Sequence, residues 1–286
     1  MSGLTMSDPL VGRIVGRATE KIDAAYAAEK RQKPRTYIGA SNIGNSCDAL
    51  LSLSLRGFPE TPPPPNLQRI FALGYVIEDI VVADLKRIKD IDVLEADPIT
   101  GRQFEKKDFG GHVSMHADGM VQAGDKMGLL EIKSMNDASW SKFNKSGVRV
   151  SHPSYYSQIQ FEMGYWRLPV ALFIAYNKNR SIYMDEWVPY DDDHFQLLSA
   201  KAERLVKDNH MAERCSVDQT DWRCKGCFKR EACWEEIEVE QVIEPKCRHC
   251  RFASPTTDGK WYCDKLNTPA EKVCLEWVQY VPKTRT

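Results

Sequence analysis

A chain of 286 residues that is 42% hydrophobic and 10% aromatic can bury a real core as one large domain or as one domain with an appendage, which excludes a disordered protein. The formal net charge of -1 excludes a protein that coats nucleic acid by bulk electrostatics, so any grip on a polyanion has to be local. The opening stretch MSGLTMSDPLVGRIVGRATEKI lacks an apolar run of signal-peptide length and no later stretch approaches a membrane span, so a cytoplasmic protein without a membrane partner is expected. Nine cysteines in a reducing compartment point to metal ligation rather than disulfides.

In chain order, residues 8–31 carry apolar side chains at helical spacing. KPRTY breaks the pattern, and Ser41 can cap a second helix that runs through Cys47 to near Gly57. PETPPPP is a stiff linker, and LQRIFALGYVIEDIVVADLKRI after it is a strongly amphipathic helix with Glu78 in its middle. From residue 92 the period shortens. DVLEADPIT, HVSMHADGMVQ and MGLLEIKSM read as strands, the last two joined by a hairpin turn at AGDKMG. A loop rich in Ser, Asn and Lys precedes the helix HPSYYSQIQFEMGYWRL, the strands ALFIAYN and SIYMDEWV follow, and a polar helix covers 192–214. The final forty residues are cysteine-bearing loops of a composition that needs metal to fold. The expected divisions are a helical segment over 1–40, a catalytic domain over 41–240 and a small module over 241–286.

Residues two apart on a strand share a face, so Glu131 and Lys133 of LLEIKS point the same way, as do His116 and Asp118 of MHADG on the partner strand. Converging carboxylates suit hard divalent cations such as Mg²⁺ or Mn²⁺, which complete their shell with water and substrate phosphate. A lysine beside them can orient the attacking water, which is the equipment of phosphodiester hydrolysis. An isolated E-x-K is more often surface charge, but here the flanking GLLEIK is apolar and a second carboxylate lies one hairpin away. His116 is either a further ligand or a hydrogen-bonded strand residue. Local cationic patches are Lys142, Lys145 and Arg149, and Arg102, Lys106 and Lys107. Trp140, Phe143 and Tyr155 are interleaved with the first set, where they could stack bases or pack the core.

The cysteines fall into two groups. Cys224, Cys227 and Cys233 form C-x2-C-x5-C, and a tetrahedral site needs a fourth ligand, which either the nearby Cys215 or the remote Cys47 can supply. Cys247, Cys250, Cys263 and Cys274 form C-x2-C-x12-C-x10-C, the pattern of a structural zinc site, with His249 as a spare ligand.

The sequence resembles the PD-(D/E)XK nuclease superfamily, in its RecB-like and lambda-exonuclease-like branch. GYVIE at 74–78, Asp118 in HADG, EIK at 131–133 and YYSQIQ at 155–160 follow the family's order. The resemblance implies a restriction-endonuclease-like α/β core, a central mixed sheet flanked by helices. It implies that Glu78, Asp118, Glu131 and the Ile132 carbonyl bind the cation, that Lys133 serves the nucleophilic water, and that Gln158 steadies the site or the DNA. Two positions depart from the family: Glu78 stands where many relatives have His, and Glu162 where they have Tyr. The one-plus-three cysteine layout resembles the iron-sulfur nucleases of the same branch, the AddB nuclease domain and the CRISPR-adaptation nuclease with a RecB-like core. That likeness implies a 4Fe-4S cluster on Cys47, Cys224, Cys227 and Cys233, leaving Cys215 without a role.

The expected function is a metal-dependent DNA nuclease, and by the resemblance an exonuclease acting at single-stranded or duplex ends in recombination, repair or phage DNA processing, with a recombination or single-strand-annealing protein as a potential partner. The alternatives are an endonuclease of the same fold and a DNA-binding scaffold whose nuclease fold is inert.

Overall fold

The computed structural model describes residues 17–29, 33–208, 212–234 and 244–284. Helix α1 (Ala18–Ala28) is followed by the short strand β1 (Ile38–Gly39), the single-turn helix α2 (Ala40–Ile43) and α3 (Asp48–Leu55). The proline run then leads into α4 (Pro65–Leu85), with proline in its first turn, where the missing N–H costs nothing. Strands β2 (Ile91–Leu94), β3 (Glu105–Asp108), β4 (Val113–His116), β5 (Gly119–Ala123) and β6 (Lys126–Met135) follow. Helices α5 (Asp137–Ser151) and α6 (Pro153–Trp166) separate β6 from β7 (Val170–Asn177) and β8 (Ile182–Pro189), and α7 (Asp192–Lys207) comes next. The cysteine-bearing end holds α8 (Trp222–Lys225), α9 (Arg230–Trp234) and the small strands β9 (Ala253–Pro255), β10 (Trp261–Cys263) and β11 (Thr268–Pro269).

The central sheet runs β2-β5-β6-β7-β8. It is mixed: β6 and β7 are parallel, and every other pair is antiparallel. Parallel neighbours need a crossover, and the α5–α6 pair is that crossover. Both faces of β6 are therefore covered. Leu130 and Ile132 pack with Val81, Val82 and Leu85 of α4 on one face, while Leu129, Met135 and Phe173 pack with Ile159 and Met163 of α6 on the other. A second sheet, β1-β4-β3, closes one end of the core against α7. No helix among the described residues is long and apolar enough to cross a membrane.

Several local expectations are corrected. The helix expected from Ser41 to Gly57 is two helices with Cys47 in the break. Cys47 is extended (φ -98, ψ 103) at the N-cap of α3, and Gly39 rather than Ser41 precedes α2. HVSMHADGMVQ is not one strand: β4 pairs with β3 and β1, β5 pairs with β2 and β6, and the chain changes sheets at Ala117 and Asp118. Alternation therefore does not carry from His116 to Asp118. The expected loop before α6 is the helix α5, capped by the Asn136 side chain accepting from the Ser139 N–H at 2.8 Å. It is kinked at Gly147, whose φ of 68 suits glycine. Lys106 and Lys107 lie on strand β3, and the final segment contains β9–β11. The helix expected over 8–31 is described as α1, with residues 8–16 and 30–31 outside the described residues. The helix expected to reach residue 214 ends at Lys207, and 209–211 also lie outside.

Candidate active site and cysteine groups

The acidic site forms where β5 stops short of β6. Pairing between the two strands ends at Gly119 and Leu130, so the edge of β6 beyond Leu130 is open to the β4–β5 connection. Asp118 fills it, its Oδ2 accepting the Ile132 N–H at 2.8 Å. Since the N–H and C=O of one strand residue point to the same edge, the Ile132 carbonyl faces this side as well. Glu131 and Lys133 stand on the α6 face of the strand, and the Lys133 ammonium forms an ion pair with Glu131 Oε1. From α6, the Gln158 amide donates to Glu131 Oε2 at 3.1 Å and to Glu162 Oε1 at 3.3 Å. Glu78 reaches in from α4, close enough for its carboxylate to feel Asp118 and Lys133.

Burial dominates the electrostatics. Glu131 and Glu162 are wholly buried. Desolvation lifts the Glu131 carboxyl to about 7 against the pull of Lys133, and lifts Glu78 to about 7, with Asp118 adding repulsion. Asp118 is raised by burial too, and Glu162 is raised well above the ordinary carboxylate range by burial and then by Glu131. For Lys133 burial works the other way, but Glu131 and Asp118 outweigh it and hold the ammonium charged.

Four carboxyls thus face one ammonium, an oxygen-rich donor set of the kind that hard divalent cations take. Glu162 Oε2 is buried without a hydrogen-bond partner among the described residues, so the polar demand of the site exceeds what the side chains supply to one another. No group of three or more His, Cys, Asp or Glu side chains among the described residues is already drawn into the geometry of a metal centre. Glu162 had a legible signal: it lies four residues after Gln158, hence on the same helical face.

The remaining candidates scatter. His116 ends β4 in the other sheet, where Nε2 meets Glu105 Oε1 at 3.2 Å. Tyr155 does border the acids, with the Lys133 ammonium 5.3 Å from its ring centroid and His152 stacked on it at 5.3 Å. Phe143 is fully buried and Trp140 packs against the same core, so neither ring is a free stacking platform. Lys142 and Lys145 are exposed on α5, whereas Arg149 pairs with Asp191 at 3.4 Å and covers the Tyr156 ring at 5.2 Å. On β3, Lys106 donates to the Tyr165 carbonyl at 2.6 Å and Lys107 pairs with Glu105 at 2.8 Å. Arg102 is exposed.

The first cysteine group contains five thiols. Cys215 lies close enough to Cys47 and Cys224 for the thiols to interact, and Cys47 is close enough to interact with Cys224, Cys227 and Cys233. The choice between Cys47 and Cys215 as partner of C-x2-C-x5-C is therefore not a choice between near and far, because the fold brings both. Burial raises all five thiols, Cys233 to about 12. Thiols so buried ionise readily only beside a cation, which fits a soft-metal donor set. In the second group, Cys247, Cys250, Cys263 and Cys274 line a cavity of about 30 Å³, room for about one small ion or water. His249 does not line that cavity; it lies against Phe58 at 5.0 Å.

No protein-family model and no curated protein matches the chain. Similar solved structures include the alkaline exonuclease LHK-Exo from Laribacter hongkongensis, 20% identical over 64% of this chain and 89% of that one, with a TM-score of 0.41. LHK-Exo in complex with dAMP is 18% identical over 64% of this chain and 88% of that one, with a TM-score of 0.41. SSO0001 is 13% identical over 78% of this chain and 100% of that one, with a TM-score of 0.40. All three likenesses are loose.

Proposed function

We propose that the chain is a divalent-cation-dependent deoxyribonuclease. The observation that supports this best is the Glu131–Lys133 ion pair on β6 with Asp118 bonded to the Ile132 N–H between them. It sets acid, backbone carbonyl and ammonium around one point at the open edge of a strand. Bound there by Glu78, Asp118, Glu131 and the Ile132 carbonyl, Mg²⁺ or Mn²⁺ would supply Lewis-acid stabilisation of charge on the scissile phosphate. Lys133 keeps its proton, so it acts as a donor that orients the water and the phosphate oxygens rather than as the base. Gln158, donating to Glu131, fixes that carboxylate's rotamer.

Within this reading the substrate is DNA and the cut is at ends, in recombination, repair or phage DNA processing in the cytoplasm, with a recombination or annealing protein as partner. Cys224, Cys227 and Cys233 with Cys47 would hold a 4Fe-4S cluster, Cys215 lying beside it, and Cys247, Cys250, Cys263 and Cys274 would hold zinc in a small C-terminal module over 241–286. The deciding experiment digests end-labelled linear and circular DNA with Mg²⁺ or Mn²⁺. Loss of cleavage in both Asp118→Ala and Lys133→Ala, with linear DNA preferred, supports the reading. Cleavage that survives both removes the site. Iron, sulfide and zinc analysis of anaerobically purified protein, with Cys47→Ala and Cys215→Ala compared, tests the two cysteine groups.

A further inference from the structure

Helix α4 carries more than Glu78. Its buried residues, Ile77, Val81, Val82 and Leu85, all lie in its second half, so the first three turns stand clear of the sheet. On that overhang Phe71 is 46% and Tyr75 71% exposed. Phe71, Tyr75 and Glu78 follow one another at spacings of four and three, which stacks them along one helical face. A side chain at Gly74, next to Tyr75, would meet nothing within 4 Å, so this wall is open. The exposed aliphatic residues Leu73, Val76 and Ile80 lie on a different flank, that of Arg69, which binds Asp23 of α1 at 2.7 Å and covers the Tyr26 ring at 5.3 Å. Helix α1 meets that flank at Arg69, and the two aromatic rings extend the flank that ends at the acids.

We propose that Phe71 and Tyr75 form a stacking wall for the bases of a single DNA strand whose phosphate enters the acidic site, an inference that rests on the nuclease reading. At a rise of about 1.5 Å per residue, Tyr75 lies about 4.5 Å and Phe71 about 10 Å along the axis from Glu78. Those offsets correspond to roughly one and three nucleotide steps of about 3.4 Å. Aromatic rings accept any base, because every base has a π-face. Asp79, beside Glu78, adds repulsion to that carboxyl and would repel a phosphate, so this wall favours the uncharged face of the base while the backbone turns toward the cation site. A second copy of the chain is the other occupant an exposed apolar face could take. Two aromatics in line with the acids, set apart from the aliphatic flank, favour the strand.

The test measures binding of a fluorescein-labelled single-stranded oligodeoxynucleotide to the full chain, with Ca²⁺ replacing Mg²⁺ so that affinity is read without turnover. Tyr75→Ala and Phe71→Ala are each expected to weaken binding about tenfold, and Tyr75→Trp to retain it. A strand with abasic sites in its terminal nucleotides should bind the unaltered protein as weakly as the intact strand binds Tyr75→Ala. Unchanged affinity in Tyr75→Ala would overturn the proposal. So would an equal loss on intact and abasic strands, or a loss that sedimentation shows to track the breakup of a dimer. Cleavage by Asp118→Ala is scored separately: if it persists while Tyr75→Ala loses affinity, the active-site assignment fails and the stacking wall stands.

Discussion

Asp118 is held to the E-x-K strand by one hydrogen bond, its Oδ2 accepting the Ile132 N–H at 2.8 Å. The bond does two jobs. It satisfies a strand N–H left without a partner where β5 ends, and it turns the carboxylate toward Glu131 and Lys133. Asp118→Asn keeps an acceptor for that N–H but removes the charge, whereas Asp118→Ala removes both. Both variants are expected to lose cleavage by on the order of a thousandfold, equivalent to about 4 kcal/mol of transition-state stabilisation. Only the alanine variant should also unfold more easily, by about 1–3 kcal/mol for the orphaned N–H. Cleavage assays and urea titrations on the pair separate the two roles.

Lys133 is the counter-charge for a carboxyl with no solvent exposure. Lys133→Met leaves Glu131 buried beside Asp118 without its cation, and the expected loss is about 3–5 kcal/mol where Glu131 would be ionised. In acid, Glu131 takes up a proton and the penalty shrinks. Urea unfolding at about pH 8 should therefore show a larger difference between variant and parent than at about pH 5. The same difference at both values would mean that packing, not charge, is what Lys133 contributes.

Glu78, Glu131 and Lys133 were legible in the sequence because they sit in strongly periodic elements. Glu131 and Lys133 share a face of β6 by alternation, and Glu78 lies within the long helix α4. Alternation does not account for Asp118: it is not in register on a strand with His116 but sits where the chain passes between two sheets. Alternation cannot announce such a crossing, because both flanking segments are β. Helix α5 was illegible because its Ser, Asn and Lys content reads as loop, yet packing of Phe143 and Val148 against the core overrides propensity. The convergence of Cys215 with Cys47 is a tertiary event between positions far apart in the chain, and spacing rules see only local ligands.

With Glu78 and Glu131 lifted from the ordinary 4.5 to about 7, burial first among the causes, the folded protein binds more protons than the unfolded chain across that interval. Stability without metal is therefore greatest on the acid side and falls as pH rises toward and through 7. A divalent cation binds the ionised carboxylates, so it should release protons and add more to the melting temperature at about pH 8 than at about pH 5.5. Thermal melts with and without Mg²⁺ at both values check this. An equal gain at both would show that these carboxyls are not the ones bound.

Burial, and then Glu131, hold the Glu162 carboxyl well above the ordinary carboxylate range. Glu162→Gln keeps the shape and an oxygen for the Gln158 donor, so its stability at neutral pH should lie within about 1 kcal/mol of the parent. Glu162→Ala opens a cavity and strips Gln158 of one acceptor, and should cost about 2–4 kcal/mol. If glutamine proves as costly as alanine, Glu162 carries a charge that something in the site compensates.

Arg56, fully buried at the C-cap of α3, donates to the carbonyls of Arg248 and Cys250 at 2.9 Å and of Ala253 at 2.8 Å, and its guanidinium lies 3.8 Å from the Tyr280 ring centroid. Helix α3 therefore starts at one cysteine group, with Cys47 as its N-cap, and ends by holding the C-x2-C turn of the other. Ser52 on the same helix donates to the Tyr280 hydroxyl at 3.1 Å, adding a second tie. Arg56→Met keeps most of the stem but takes the guanidinium from three carbonyls, of which Cys250 still accepts the Ala253 N–H at 3.1 Å; the carbonyls of Arg248 and Ala253 lose their Arg56 donor, at about 1–3 kcal/mol each before relaxation. The expected result is loosening of residues 247–280 from α3, read as faster thiol labelling of Cys247 and Cys250 and as new cleavage of this segment by a protease. Because α3 also carries Cys47, labelling of Cys47 should quicken too, to a smaller degree. If Cys247 and Cys250 quicken while Cys47 does not, α3 stays in place without the C-terminal segment, and the two cysteine groups are mechanically independent.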